Sequence, residues 1–240
     1  MIAPLPTRLR RLRTLGRDTR ALALTEFAFT LPIILAMGSY GVELSFLALT
    51  NLRISQHALN LADNASRVGV TSGAGVTRLR EADINDVLQG LKRESAGIKL
   101  TTNGRVVLSS LENTKQSGDT DRVQRIHWQR CIGLKRGPAF DSHYGTTTPT
   151  DGMSDKGRDK GTNTPNGMGD PNREVKAYQD SGVMFVEINY EYKPLFGSLF
   201  VSPQVIRYKA SFVVRDNRDF TQIYNPTPSA SVSHCGVYTS

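Results

Sequence analysis

The sequence has few of the residues that build metal sites or disulfide frameworks. It contains two cysteines and four histidines in 240 residues. The histidines are scattered, and no two of them have the spacing that places a pair of metal ligands on one helix face. No glycine-rich loop of the kind that cradles phosphate follows a predicted strand. The sequence therefore predicts no enzyme active site, no cofactor and no bound metal.

Positive charge is in excess, but it is unevenly distributed. The formal net charge is +8. An arginine cluster directly before an apolar segment is typical of the signal that keeps an N-terminus in the cytoplasm. Because the charge is gathered there, we do not expect nucleic acid as a partner. The cluster lies in residues 1–21 with one acid, Asp18, and comprises Arg8, Arg10, Arg11, Arg13, Arg17 and Arg20.

The two cysteines, Cys131 and Cys235, are too far apart in sequence for a zinc knuckle. No histidine lies at ligand spacing from either one. In an oxidising compartment they are expected to form one disulfide. The alternative is a pair of buried free thiols.

A long apolar segment near the N-terminus predicts a membrane helix. Between Glu26 and Glu43 there are 16 residues without a charge. As a helix they cover about 24 Å, somewhat less than the roughly 30 Å of bilayer hydrocarbon. The apolar flanks at residues 22–25 and 44–49 supply the missing length. Pro32 lies inside the segment and is predicted to kink the helix, because it removes one backbone hydrogen bond.

Three processing routes fit a basic segment followed by an apolar one. A secretory signal could be cut after Gly38, where Ala36-Met37-Gly38 is a small-x-small site. A signal anchor would stay uncut, and a prepilin leader would be cut before the apolar segment. Glu26 favours the third route, because an acid in hydrocarbon costs about 2.5–3.5 kcal/mol at mid-bilayer unless it has a partner. A new terminal amine would be that partner.

The order of residues around Glu26 resembles a known family. Ala21, four further residues, Glu26-Phe27-Ala28 and then Pro32 are similar to the TadE/TadF pseudopilins of the tight-adherence (Flp-type IVb) pilus. The resemblance implies that prepilin peptidase cuts between Ala21 and Leu22, which leaves Glu26 at mature position five. The family usually has glycine where this chain has Ala21. A cut after Gly16 would place Glu26 ten residues into the mature chain, which fits the pattern less well.

The resemblance continues beyond the apolar segment and covers about residues 20–66. Gly41-x-Glu43 is similar to the family's second acid near the far end of the helix. For Glu43 itself two interpretations remain, an acid solvated at the outer interface or an acid paired with a partner. The helix then continues with polar residues and alanines, namely Asn51, Gln56, Ala58, Ala62, Asp63 and Ala65.

The resemblance implies a minor pseudopilin that takes part in pilus assembly or its initiation. Its expected partners are other pilin and pseudopilin subunits, prepilin peptidase, the inner-membrane pilus assembly platform and membrane lipid. The expected location is the bacterial inner membrane, with the N-terminus cytoplasmic and the C-terminal domain periplasmic. The alternatives are a bitopic envelope protein with an extracytoplasmic binding domain that never enters a pilus, and a secreted protein freed by signal peptidase.

The hydrophobic pattern predicts an α+β protein. We expect a leader at 1–21, a transmembrane and amphipathic helix at 22–69, and an extracytoplasmic domain at 76–240. The predicted fold is a long membrane-spanning helix packed on a small antiparallel sheet, as in pilins, with a second short helix at 77–95. Asn103-Gly104 predicts a hairpin turn before residues 105–108. Further strands are predicted at 123–132, 183–192 and 204–214, the last two alternating between an apolar and a polar face.

Two segments are predicted to lack regular structure. Residues 137–172 are rich in Gly, Thr, Asp and Asn, which predicts a flexible surface insert. The tail after Arg218 is predicted to be extended. In that arrangement Cys235 can hold the tail to the strand that contains Cys131.

Overall fold

The computed structural model of the chain describes residues 20–240, with side chains from residue 22 onward. Of the leader predicted at 1–21, residues 1–19 and the side chains of Arg20 and Ala21 lie outside the described residues. The chain forms two compact units. The first contains the N-terminal part through Phe46 together with Pro194–Ser202, and the second contains Leu47–Lys193 and Pro203–Ser240.

The N-terminal helix, α1, extends over Arg20–Arg67 and is continuous through Pro32. Of the residues described, this is the one helix long and apolar enough to cross a membrane. Several of its hydroxyl groups bond to its own backbone, as when Thr30 Oγ1 donates to the Glu26 carbonyl at 2.9 Å. Such bonds satisfy these hydroxyl groups without a partner from outside the helix. In the second segment of this unit, Gly197–Leu199 form one 3₁₀ turn.

The second unit is built on a five-stranded antiparallel sheet with strand order β5-β4-β3-β6-β7. A two-residue hairpin, β1 (Val70–Thr71) and β2 (Thr77–Arg78), follows α1. The α+β class, the long helix and the antiparallel sheet are confirmed. The strands of the large sheet are β3 (Gly104–Thr114), β4 (Val123–Ile132), β5 (Thr162–Asn163), β6 (Gly182–Tyr192) and β7 (Gln204–Val213).

A short helix, α2, extends over Glu81–Glu94. It begins later than predicted because the preceding residues pair as β2. Its first turn is closed by Asp83, whose carboxylate accepts the backbone N–H of Arg80 at 3.0 Å. A 3₁₀ turn (Ala96–Ile98) and the four-residue helix α3 (Leu100–Asn103) lead into β3.

The hairpin turn predicted at Asn103-Gly104 is wrong. Asn103 ends α3 and Gly104 begins β3. The glycine is needed for close packing, since a Cβ there would lie 2.8 Å from the carbonyl oxygen of Asn189 on β6. From sequence alone, a glycine that is required by a tight turn therefore cannot be distinguished from a glycine that is required by the close approach of another strand.

One face of the sheet carries the apolar core. Val106 and Leu108 of β3 pair with Ile188 and Val186 of β6, and all four are fully buried. The second half of α1 and α2 cover this face. Arg130 on β4 donates to the Glu81 carboxylate of α2 at 3.0 and 3.1 Å, and this buried ion pair joins helix to sheet. The buried helix residues are Ile54, Ala58, Leu61, Ala62, Ala65, Ile84, Leu88 and Leu91.

The opposite face of the sheet is also covered, although its alternating polar residues predicted exposure to solvent. Glu187 and Asn189 of β6 are each 2% exposed. The segment between β4 and β6 lies over them. Asn189 Nδ2 donates to the Phe140 carbonyl at 3.0 Å, and Ser142 Oγ donates to Glu187 at 2.5 Å.

The segment predicted as a flexible surface insert, residues 137–172, is largely exposed or half-buried, but it lies on the sheet and contributes Met168 and Tyr144 to a second core there. Gly161 allows the insert to approach β4, because with φ +85° its Cβ position lies 2.1 Å from the carbonyl oxygen of Ile126. Gly161 comes directly before β5 in the sequence, and β5 then pairs with β4. The apolar residues buried in this second core are Leu111, Ile126, Met168, Ala177, Val183 and Phe185.

The C-terminal tail is fastened to β4 and β3. Cys131 and Cys235 form a disulfide, which confirms the predicted bridge. Next to it the Cys131 N–H donates to the Ser233 carbonyl at 2.7 Å. Arg105, which is 1% exposed, donates to the tail carbonyls of Val237 and Cys235 at 2.8 and 2.6 Å.

Replacing both cysteines by alanine is expected to lower the free energy of unfolding by about 2–5 kcal/mol, because the bridge closes a long loop. The sequence separation across the bridge is 104 residues. Urea unfolding of the full chain in micelles, followed by the emission of the single tryptophan, measures the change. The single variants Cys131→Ala and Cys235→Ala also lack the bridge, so their differences from the double variant measure the contribution of side-chain packing. An unchanged midpoint in the double variant would contradict the stabilising role of the bridge.

Candidate functional site

The first unit presents an apolar helical surface. Seven large apolar side chains between Leu24 and Met37 are between 58% and 78% exposed, and each would be in contact with water in an aqueous setting. Exposing so continuous an apolar surface is unfavourable, so lipid or another apolar helix is its natural environment. The residues are Leu24, Phe27, Phe29, Ile33, Ile34, Leu35 and Met37.

Glu26 is the one charged residue between Leu22 and Met37, and it is exposed on this surface. Among the side chains described from residue 22 onward, none pairs with its carboxylate. A chain that began at Leu22 would carry its terminal amine one helical turn before Glu26, on the same side of the helix. The predicted cut site, Ala21–Leu22, lies within the first turn of α1.

Pro32 is six residues beyond Glu26. Helical structure continues on both sides of it. Since proline has no N–H, the carbonyl of Ala28 loses its usual intrahelical partner. The kink predicted at Pro32 stays a prediction.

Glu43 differs from Glu26 because its side chain is fully buried. Its carboxylate accepts the backbone N–H of Phe196 at 3.1 Å, and Phe196 belongs to the same unit. Two ring contacts accompany this bond, Tyr40 with Phe200 at 5.9 Å and Phe196 with Phe200 at 6.0 Å between centroids. The interpretation of Glu43 as a solvated interfacial acid therefore does not describe this structure, in which the acid is paired within its own chain.

Sequence reasoning missed the segment that covers Glu43. Pro194–Ser202, which we call the apolar loop, connects β6 to β7 and contains no charged residue. A signal was present, because connections between strands are normally polar. Its two leucines and two phenylalanines depart from that expectation.

The second unit contains a polar cleft of about 250 Å³ over the β6–β7 part of the sheet. On one side of the cleft Lys209 forms an ion pair with Asp170, whose carboxylate also accepts the Tyr144 hydroxyl at 2.6 Å. Deeper in the cleft is Glu187, which accepts the backbone N–H of His143 at 2.9 Å. Arg207 and Tyr208 line the cleft from β7. Such a site can hold a small polar molecule.

Burial and hydrogen bonding shift the pKa values of two carboxyl groups in this cleft. Removal from water raises the pKa of Glu187, and the hydrogen bonds from Ser142 and His143 oppose that effect without cancelling it. Hydrogen bonds from Lys209 and Tyr144 lower the pKa of Asp170. The two carboxyl groups are therefore shifted in opposite directions, which is common in binding and catalytic sites and in structural networks alike.

His127 of β4 is buried and belongs to a group of polar side chains. A β-bulge between the pairs Ser110–Trp128 and Leu111–Ile126 leaves His127 as the extra residue of β4. Its Nδ1 is 2.9 Å from Glu112, and Ser110 Oγ donates to the same carboxylate at 2.6 Å. The hydroxyl is bonded to the carboxylate and not to the imidazole, so the base that would activate a serine nucleophile is not in place.

Within residues 20–240, no group of three or more His, Cys, Asp or Glu side chains can hold a metal ion. No protein-family model, no curated protein and no solved structure matches the chain. The predicted site residues divide between the units. Glu26, Pro32 and Glu43 lie on α1 in the first unit, and Cys131 and Cys235 lie in the second.

Glu187→Gln is expected to change how stability depends on pH. Because the folded-state pKa of Glu187 is raised above 4.5, the folded protein binds the proton more tightly than the unfolded chain does. The wild type should therefore lose stability relative to the glutamine variant as pH rises from about 4.5 through the raised pKa. The change is at most about 1.4 kcal/mol per pH unit, the limit for one proton.

Urea unfolding of both full-length proteins at pH 4 to 7 measures this difference, with the emission of Trp128 as the probe. The carboxylates whose pKa values are lowered, such as Asp219, lose their contribution at low pH in both proteins and cancel in the comparison. A stability difference that stays constant over the whole range would show that Glu187 titrates alike in the folded and unfolded chains.

Proposed function

We propose that the chain is a minor pseudopilin-like subunit of a tight-adherence (Tad) type IVb pilus that takes part in pilus assembly or its initiation. α1 would span the bacterial inner membrane through its first half. The N-terminus would face the cytoplasm and the second unit the periplasm. Other pilin and pseudopilin subunits, prepilin peptidase and the inner-membrane assembly platform are the proposed partners.

The observation that carries this proposal is the position of Glu26. It is a single exposed carboxylate at the start of an otherwise charge-free apolar helix surface. An ionisable group at such a position is costly and is usually retained for a partner. A terminal amine at Leu22 would supply the opposite charge, either in the same chain or on a neighbouring subunit.

The proposed mechanism follows from that pairing. The arginine-rich leader keeps the N-terminus in the cytoplasm while the remainder of the chain crosses the membrane. Prepilin peptidase then cuts between Ala21 and Leu22 and exposes an amine. In hydrocarbon the attraction between this amine and Glu26 of an adjacent helix is weakly screened, so lateral association of subunits becomes favourable.

A second candidate is an envelope protein that is anchored by α1 and binds a small polar molecule outside the membrane. The polar cleft favours it, because Glu187, Asp170 and Lys209 converge on a space of about 250 Å³. Under this alternative the leader is retained and Glu26 has no role in assembly. The two candidates therefore differ in what happens when Glu26 is replaced.

Glu26→Leu is expected to preserve membrane insertion and to abolish or strongly reduce pilus assembly. Leucine lengthens the apolar segment, so insertion should not suffer, while the partner of the new amine is lost. Cells of the native host that carry only the variant gene are compared with wild type. The amount of chain in the membrane fraction and the amount of pilin sheared from the cell surface are measured.

The matched control is Thr30→Leu, because Thr30 is polar, exposed and one helical turn from Glu26, and its hydroxyl bonds only to α1 carbonyls. It should assemble like wild type. Glu26→Gln separates charge from polarity and should fail like leucine. Normal pilus yield with Glu26→Leu at normal membrane levels would refute the pairing role and favour the second candidate.

A further inference from the structure

We propose that the apolar loop, Pro194–Ser202, is a second membrane-contacting element that inserts into the outer leaflet beside α1. The inference rests on α1 spanning the bilayer, as in the proposed function. It adds to that function a lipid contact made by the connection between two strands of the sheet. Four observations on the first unit carry it.

The first observation is exposure. Leu195, Phe196 and Leu199 are 54%, 43% and 75% exposed. Three large apolar side chains within five residues, at the tip of a connection between strands, form a patch that water solvates poorly. Such patches mark contact with protein or membrane.

The second observation is continuity with the surface of α1. Tyr40 contacts Phe200 at 5.9 Å between ring centroids. Tyr40, Val42 and Leu44 are themselves 46%, 53% and 41% exposed. The patch on the loop therefore extends an apolar helix surface whose composition already suits lipid.

The third observation is depth. Glu43 is 17 residues beyond Glu26, which corresponds to about 26 Å along a helix. If Glu26 lies near the inner edge of the roughly 30 Å hydrocarbon layer, Glu43 lies just inside its outer edge. The loop reaches this level, because the Phe196 N–H donates to the Glu43 carboxylate at 3.1 Å. The carboxylate is thereby fully covered and does not face lipid.

The fourth observation is the chemistry of the loop itself. No charged residue occurs from Pro194 to Gln204, and Lys193 directly precedes this stretch. Pro194 has no backbone N–H, and the 3₁₀ turn at Gly197–Leu199 bonds others internally. An uncharged apolar tip next to a lysine suits the boundary between hydrocarbon and headgroups.

The occupant of this surface is therefore lipid of the outer leaflet and not a second protein. The variant Leu199→Trp of the full chain tests this contact with lipid. It is placed in nanodiscs that each contain one copy of the protein. The lipids are phosphatidylcholines brominated either near the headgroup or deep in the acyl chain. Emission is compared with that of wild type, whose single tryptophan, Trp128, is 3% exposed and reports folding.

The added tryptophan at position 199 should be quenched several-fold more strongly by the shallow bromines than by the deep ones. Leu35→Trp is the control for the spanning helix and should respond most to the deep bromines. Tyr178→Trp is the control for water, because Tyr178 is 76% exposed in the second unit. It should not be quenched. Leu195→Trp repeats the test if Leu199→Trp disturbs the fold.

The outcomes of this experiment distinguish insertion of the apolar loop from insertion of the spanning helix α1. Quenching at positions 35 and 199 supports the inserted loop. Quenching at position 35 without quenching at 199 and 195 overturns the inserted loop and leaves the spanning helix standing. No quenching at any of these positions overturns the inserted loop and the membrane-anchored function together.

Discussion

Charge is costly where water is excluded, and both units of this protein are arranged around that constraint. From Leu22 to Phe46 the chain carries two charged residues, Glu26 and Glu43. One is exposed on the apolar helix and, among the side chains described, unpaired. The other is buried and accepts a backbone N–H. We interpret the first as an acid kept for a partner that arrives during processing, and the second as an acid whose partner is already in the chain.

The second unit meets the same constraint with opposite charges placed together. Arg130 is paired with Glu81 between β4 and α2, and Asp119 receives hydrogen bonds from Arg125 and Lys160. Removing one member of such a buried pair typically costs 3–5 kcal/mol, since the other is left unpaired. The sheet can therefore carry arginines, glutamates and a histidine on covered faces without losing its packing.

Much of the architecture was predictable, because it depends on local periodicity. The lengths of α1, β4, β6 and β7 follow from runs of residues whose pattern needs no knowledge of distant contacts. Cys131 and Cys235 were predictable as a bridge for a similar reason, since two cysteines allow one pairing. The apolar face of β6 was also clear from its alternation.

The missed features depend on contacts between residues far apart in sequence. Alternation in β6 identified Glu187 and Asn189 as solvent-facing, because nothing local indicates that residues 137–172 return over that face. The asparagine and glycine before β3 look like a hairpin turn, but Gly104 is required by the approach of β6. The apolar loop was overlooked since a connection between strands has no periodicity to measure. In the candidate site, Glu26 could be identified from the sequence alone, whereas the burial of Glu43 under the apolar loop could not.

The central claim is that Glu26 pairs with an amine that is created by cleavage. Identifying the first residue of the mature chain tests this claim most directly. Terminal sequencing or intact mass of the protein purified from membranes of its native host gives the answer. We predict a chain that begins at Leu22. A chain that still begins at Met1, or one that begins at Ser39 after removal of the apolar segment, would contradict it.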